Sequence, residues 1–256
     1  MTVPQSRKRF RIQVSMNWMI PNIITIASLI SGLTALRFAL DDKWHMVVGL
    51  VTLSAIFDAL DGRTARLLRS TSAFGGALDS LCDVVVFGVV PGLCLYLWAL
   101  QDHGSLAWAA ALFYVVCIAL RLARFDSELP DKPDFAKDFF TGIPSPAAGL
   151  LVILPLVIDL QFGGVPAARA AFPVALVLVI CGVGAVCTLP TFAGKTMKIP
   201  SYYALPTLAI IALVVGLAVV EPWAAYLLLA GLYLMSIPFA LVAYGRRKQR
   251  YFSVTD

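Results

Sequence analysis

Charge is what this sequence is short of. Only 14% of its 256 residues are Asp, Glu, Lys or Arg, where a soluble domain carries about 25%. That scarcity excludes an ordinary water-soluble fold, whose exterior must be covered largely by polar side chains. Histidine is nearly missing too: His45 and His103 stand alone beside apolar runs, which argues against a histidine-built metal centre. The five cysteines, Cys82, Cys94, Cys117, Cys181 and Cys187, sit inside apolar stretches without CxxC or Cys/His spacing. A zinc site or disulfide framework therefore lacks its pattern, and the thiols read as small hydrophobes. The first apolar run, Pro21 to Leu40, exceeds the roughly 7–15 residues of a signal-peptide core. It is expected as a retained helix, not a cleaved leader.

What is present is hydrocarbon. Sixty per cent of the residues are hydrophobic and mean hydropathy is +0.85, so the solvent for most of the chain is lipid. A bilayer core needs about 20 apolar residues per helix. Eight runs answer to that length: 21–40, 44–68, 74–100, 105–124, 145–162, 168–188, 203–220 and 223–244. The fifth is short, and the last two are parted only by Glu221-Pro222. The net charge of +5 comes from bases scattered between these runs and not from one stripe, which argues against nucleic acid and for an anionic leaflet. With the N-terminus placed in the cytoplasm, 17 of the 20 basic residues fall on that side and only Arg37, Lys43 and Arg169 on the other. This positive-inside bias predicts an all-α polytopic bundle with both termini cytoplasmic. The head, Ser6 to Trp18, mixes bases with apolar residues and is expected along the cytoplasmic surface or as a basic terminus. Asp126 to Asp138 reads as a solvated connector.

One segment is not explained by membrane residence. Asp58, Asp61, Gly62, Ala65 and Arg66 share a helix face, because side chains three and four apart are neighbours. After eight residues come Gly75, Asp79 and Asp83, the two acids again one turn apart. Asp58 lies roughly 21 Å along the second run from Trp44, and Asp79 and Asp83 roughly 8–14 Å into the third, by helical rise. Antiparallel packing then brings four carboxylates to one level near the inner boundary. Each intramembrane aspartate costs about 2.5–3.5 kcal/mol on insertion scales, so the cluster calls for neutralising cations. Hard oxygen ligands favour Mg²⁺ or Mn²⁺. A cation or metal transporter is the different-class alternative, but no acid lies at mid-membrane in the fourth, sixth, seventh or eighth run, and Asp159 is isolated near an end. Gly62 and Arg66 on the acidic face point instead to an anionic ligand, since glycine admits a phosphate to the backbone and a guanidinium binds it in two places.

These residues resemble the CDP-alcohol phosphotransferase family, whose pattern DxxDGxxAR, eight residues, GxxxDxxxD is met at all eight fixed positions. The resemblance implies that Asp58, Asp61, Asp79 and Asp83 hold divalent metal, two ions of Mg²⁺ or Mn²⁺, and that Asp83 also acts as general base. It implies a CDP site lined by Gly62, Ala65, Arg66 and Gly75, with Asn22 and Thr25 of the first helix reaching the nucleotide or merely capping. It implies a six-helix core over 21–202, so that 1–20 is a basic N-terminal segment, 203–244 two added transmembrane helices and 245–256 a basic tail. A homodimer is a further implication. Arg121-Leu-Ala-Arg124-Phe125 and Phe140-Thr-Gly142-Ile-Pro144-Ser-Pro146 resemble the branch that uses CDP-diacylglycerol and L-serine. Arg121 or Arg124 is then the partner for the acceptor's carboxylate or a snorkelling anchor, while Gly142 and Pro144 shape the loop. Other acceptors, glycerol 3-phosphate, an inositol phosphate or choline, stay open. Gly88 and Gly92 offer a small-residue packing pattern within or between subunits. The expected location is the cytoplasmic membrane of a prokaryote, with the site facing the cytoplasm.

Overall fold

The computed structural model describes residues 16–127, 139–192 and 201–255. The chain is helical nearly throughout: α1 (Met16–Leu40), α2 (Trp44–Leu67), α3 (Ala73–Asp83), α4 (Val90–Leu95), α5 (Gly104–Ser127), α6 (Ser145–Val152), α7 (Leu154–Phe162), α8 (Pro166–Arg169), α9 (Ala171–Val186), α10 (Ala204–Val220) and α11 (Pro222–Thr255). Turns of π-helix at Val84–Val89 and Tyr96–Leu100 make α3 and α4 one helical rod ending at Leu100. Five helices are long and apolar enough to cross a membrane, and a sixth if the pair α6 and α7, bent by 42°, is one span. The remaining two apolar runs are shorter helices, α9 with 16 residues and α10 with 17. Five to six spans by length thus stand where eight were expected, with α9 and α10 in the other two positions. The surface segment expected before Trp18 and the connector after Ser127 lie almost wholly outside the described residues, as do Lys132, Lys137, Lys195 and Lys198.

Helices in lipid gain little from burying apolar surface, so close packing and interhelical hydrogen bonds hold them together. Both are visible. Between α1 and α2, Ser28 Oγ donates to Ser54 O at 3.0 Å while Ser54 Oγ lies 3.1 Å from Ser28 O. Glycines lie where neighbours press in: a Cβ on Gly32 would sit 3.0 Å from a Val86 methyl, and one on Gly149 2.9 Å from the Phe87 ring. Gly88 and Gly92 face α5, against Ile118 and Tyr114, so their small-residue pattern packs helices within the chain.

Prolines inside helices are tolerated when another group serves the freed carbonyl. Pro91 has no N–H to offer Phe87 O. The fully buried Tyr114 hydroxyl of α5 donates to that carbonyl at 2.6 Å. Pro155 opens the break between α6 and α7, and there Tyr226 of α11 donates to Leu150 O at 2.6 Å. Two short strands, β1 (Phe139–Thr141) and β2 (Pro190–Phe192), pair antiparallel with Phe140 opposite Thr191. They tie the chain entering α6 to the chain leaving α9, and α11 packs beside them.

Candidate active site

The site is built where α2 ends and α3 begins. Helix α2 closes with Leu68 N on Thr64 O at 2.9 Å and Ser70 N on Ala65 O at 3.0 Å. Arg69 then turns the chain in the left-handed region, φ 50°. Ser72 caps α3: its backbone is extended and its Oγ accepts from Gly75 N at 3.0 Å. A serine at this position serves one of the helix's unpaired first-turn N–H groups. The reversal turns the acidic face of α2 toward that of α3, while both helices pack on α1.

Asp58, Asp61 and Asp79 each bring a carboxylate oxygen within 4.8 Å of the others. Asp61 is buried, and Thr25 Oγ1 of α1 lies 2.7 Å from its Oδ2 and 3.1 Å from Pro21 O. Asp83 sits one turn beyond, with its carboxyl against that of Asp58. Its Oδ2 accepts from Ser145 Oγ, the first residue of α6, at 2.8 Å. The predicted convergence is therefore a triad, Asp58, Asp61 and Asp79, with Asp83 beside it on the α6 side. Converging, partly buried carboxylate oxygens without nitrogen or sulfur ligands fit a hard divalent cation.

On the other side of the triad opens a pocket of about 210 Å³. All six residues expected at the nucleotide line it, Asn22, Thr25, Gly62, Ala65, Arg66 and Gly75, together with Asp61 and Asp79. Gly75 is needed there by space: a Cβ would come 3.1 Å from Ser72 Oγ and 3.2 Å from Asn22 Oδ1. Ser70, Thr71, Ser72 and Gly76 also line the pocket and fall outside the expected set. Their signal in the sequence is the hydroxyl cluster Ser70-Thr71-Ser72 in the spacer between the two acidic halves. Ser145 is likewise an addition, because its partner Asp83 is 62 residues away.

The two arginines of α5 part company. Arg124 Nη1 donates to Val186 O at 3.1 Å, which fastens it to the last turn of α9. Arg121 is buried to 7% exposure and faces Asp83, Asp58 and Tyr233 of α11. Gly142 and Pro144 do shape the entry to α6. Gly142 has φ +76°, its N–H donates to Leu189 O at 2.8 Å, and Thr191 Oγ1 donates to its carbonyl at 2.9 Å. Pro144 O accepts from Ala148 N at 2.8 Å in the first turn of α6.

Compared with known proteins, residues 18–242 match the CDP-alcohol phosphatidyltransferase family. A Mycobacterium leprae protein named CDP-diacylglycerol–serine O-phosphatidyltransferase is 35% identical over 242 residues, 93% of this chain and 78% of its own length. A protein of the same name from Mycobacterium tuberculosis is 33% identical over 254 residues, 98% of this chain and 84% of the relative. One from Helicobacter pylori is 38% identical over 145 residues, covering 57% of this chain and 60% of the relative.

Proposed function

The chain belongs to the CDP-alcohol phosphatidyltransferase family, and from that premise we propose that it transfers the phosphatidyl group of CDP-diacylglycerol to L-serine, giving phosphatidylserine and CMP. The observation that carries the reading is the placement of the triad of Asp58, Asp61 and Asp79 between the pocket of about 210 Å³ and the Asp83–Ser145 pair. The names of the mycobacterial relatives support serine as the acceptor.

In this reading Asn22, Thr25, Gly62, Ala65, Arg66 and Gly75 cradle the CDP moiety, with Arg66 pairing a phosphate in two-pronged fashion. Asp58, Asp61 and Asp79, joined by Asp83, hold Mg²⁺ or Mn²⁺. The metal, when bound, supplies Lewis-acid stabilisation of the charge gathering on the leaving CMP. Asp83 takes the proton of the serine hydroxyl as that oxygen bonds to the lipid-side phosphorus and the bond to the CMP oxygen breaks. Ser145 holds Asp83 in register by its hydrogen bond. Arg121 or Arg124 meets the acceptor's carboxylate.

The catalytic core is 21–202, with the two helices of 203–244 added to it, and both termini with the site lie on the cytoplasmic side of a prokaryotic membrane. A lipid with acyl chains and a water-soluble alcohol both reach an inner-leaflet site. A homodimer is the assembly in keeping with the family. The test is to incubate the purified chain with CDP-diacylglycerol and a panel of alcohols and to identify the lipid product by mass. Phosphatidylserine formed in step with CMP release is expected. Transfer to another alcohol in preference to serine refutes the acceptor, and absence of CMP release with every alcohol refutes the reaction.

A further inference from the structure

Helix α11 lies outside the proposed core, yet it is not a bystander. Several aromatic side chains that it turns inward meet working parts of the molecule. Trp223 meets His45 ring to ring, centroids 5.6 Å apart and tilted by 41°, and the Tyr226 hydroxyl serves Leu150 O at the break between α6 and α7. Tyr233 faces Arg121 and Thr191, and Tyr244 packs edge-on against Phe139 of β1 at 5.3 Å. Successive spacings of 3, 7 and 11 residues keep these side chains on one face of a 3.6-residue helix.

Around Tyr233 the chain has collected polar groups that ordinary folding would not bury. Arg121 is 7% exposed, and its Nε is buried without a hydrogen-bond partner among the described residues. A buried guanidinium N–H with no acceptor is costly, and such a group is retained where a ligand supplies the acceptor. The buried Tyr233 oxygen neighbours both that guanidinium and the Thr191 hydroxyl. Thr191 is 1% exposed and spends its own proton on Gly142 O at 2.9 Å, so it has none to offer Tyr233, whose buried hydroxyl has no hydrogen-bond partner among the described residues. Arg124 is committed to Val186 O. Arg121 also faces Asp83, which places this cluster beside the acidic site.

We propose that Arg121 and Tyr233, with Thr191 behind them, form the subsite for the carboxylate of the acceptor, so that α11 takes part in choosing the substrate. This rests on the proposed acceptor being an amino acid with a hydroxyl. Arg121 supplies the charge and the fork of N–H donors, and Tyr233 supplies a neutral O–H donor. Between them they fix the carboxylate so that the hydroxyl end points at Asp83. An alcohol without a carboxylate leaves these buried groups unpaired and is disfavoured for that reason.

The experiment compares L-serine with serinol (2-amino-1,3-propanediol), which keeps the amine and a hydroxyl but has no carboxylate. Initial rates of the full chain in detergent are taken for the wild type and Tyr233→Phe, varying each acceptor and CDP-diacylglycerol in turn. Loss of one hydrogen bond to a charged group predicts a KM for serine raised on the order of tenfold. KM for CDP-diacylglycerol stays within about twofold, and the preference for serine over serinol falls by the same factor as the serine KM rises. An unchanged serine KM overturns the proposal, and so does an equal loss with serine and serinol, which marks Tyr233 as packing alone. If Tyr233→Phe does not fold, Thr191→Val carries the same expected split between the two acceptors. A wild-type protein that releases CMP but never with serine refutes the acceptor reading itself, a result distinct from a serine-using enzyme indifferent to Tyr233.

Discussion

Replacing Gly142 with alanine tests how firmly the loop before α6 is determined. At φ +76° an L side chain costs about 1–2 kcal/mol. The added Cβ would also sit 2.5 Å from Ala185 O and 2.8 Å from Cys187 O. Both are backbone atoms at the end of α9, and backbone cannot swing aside as a side-chain tip can. Overpacking of this kind costs about 1–3 kcal/mol. The sum, about 2–5 kcal/mol, corresponds to a melting temperature lowered by about 4–20 °C for a chain of this size. Catalysis should suffer even where the variant is folded. Gly142 shortly precedes Ser145, whose hydroxyl holds Asp83 at 2.8 Å, so kcat falls more than either KM rises. The assay is thermal unfolding in detergent with initial rates measured well below the transition. Gly49→Ala is the control: it lies in α2, where an added methyl would meet nothing within 4 Å, and should be neutral or slightly stabilising. A Gly142→Ala protein melting within about 2 °C of the parent, with full kcat, would show that this loop accommodates a side chain at position 142.

Asp83→Asn keeps the size and much of the hydrogen-bonding shape of the side chain but removes the base. Turnover should fall by about a thousandfold or more with melting little changed, and wild-type-like rates would take the role from Asp83. Gly75→Ala narrows the pocket against Ser72 Oγ at 3.1 Å and Asn22 Oδ1 at 3.2 Å; KM for CDP-diacylglycerol should rise severalfold with serine dependence unmoved, and the reverse pattern would displace the nucleotide from this pocket. Tyr114→Phe strands Phe87 O beside Pro91 and should destabilise by about 1–3 kcal/mol, read as earlier unfolding without a change in KM.

Much of the site is legible in the sequence because helical spacing is geometry. Acids at 58, 61, 79 and 83 form stripes on their helices, and two adjacent antiparallel helices bring those stripes to one depth. Gly62 is legible as a small residue on the acidic face that admits a phosphate, while Gly75 is marked only by the family pattern and its reason lies in its neighbours Ser72 and Asn22. What stays hidden depends on contacts distant in the chain. Nothing in the run from Ser145 to Phe162 says which residue faces Asp83, and the Ser145 bond spans 62 residues. The bend near Pro155 has a local cause, since proline breaks the ladder of backbone bonds, but apolar length alone makes the run a single span. The tail after Tyr244 reads as a basic terminus because its residues are polar, yet α11 runs on to Thr255. The place of α11 beside Arg121 is not legible from apolar content, which is similar on every side of a lipid-exposed helix.

Catalysis as described depends on the acidic faces of α2 and α3 closing on a divalent cation. Direct Mn²⁺ binding to the purified chain, followed by electron paramagnetic resonance, tests this without relying on turnover. Wild-type protein should bind Mn²⁺, with binding strengthened by CDP-diacylglycerol and competed by Mg²⁺, and Asp61→Asn or Asp79→Asn should lose it while still folding. Mn²⁺ bound equally well by the wild type and both variants would contradict the account.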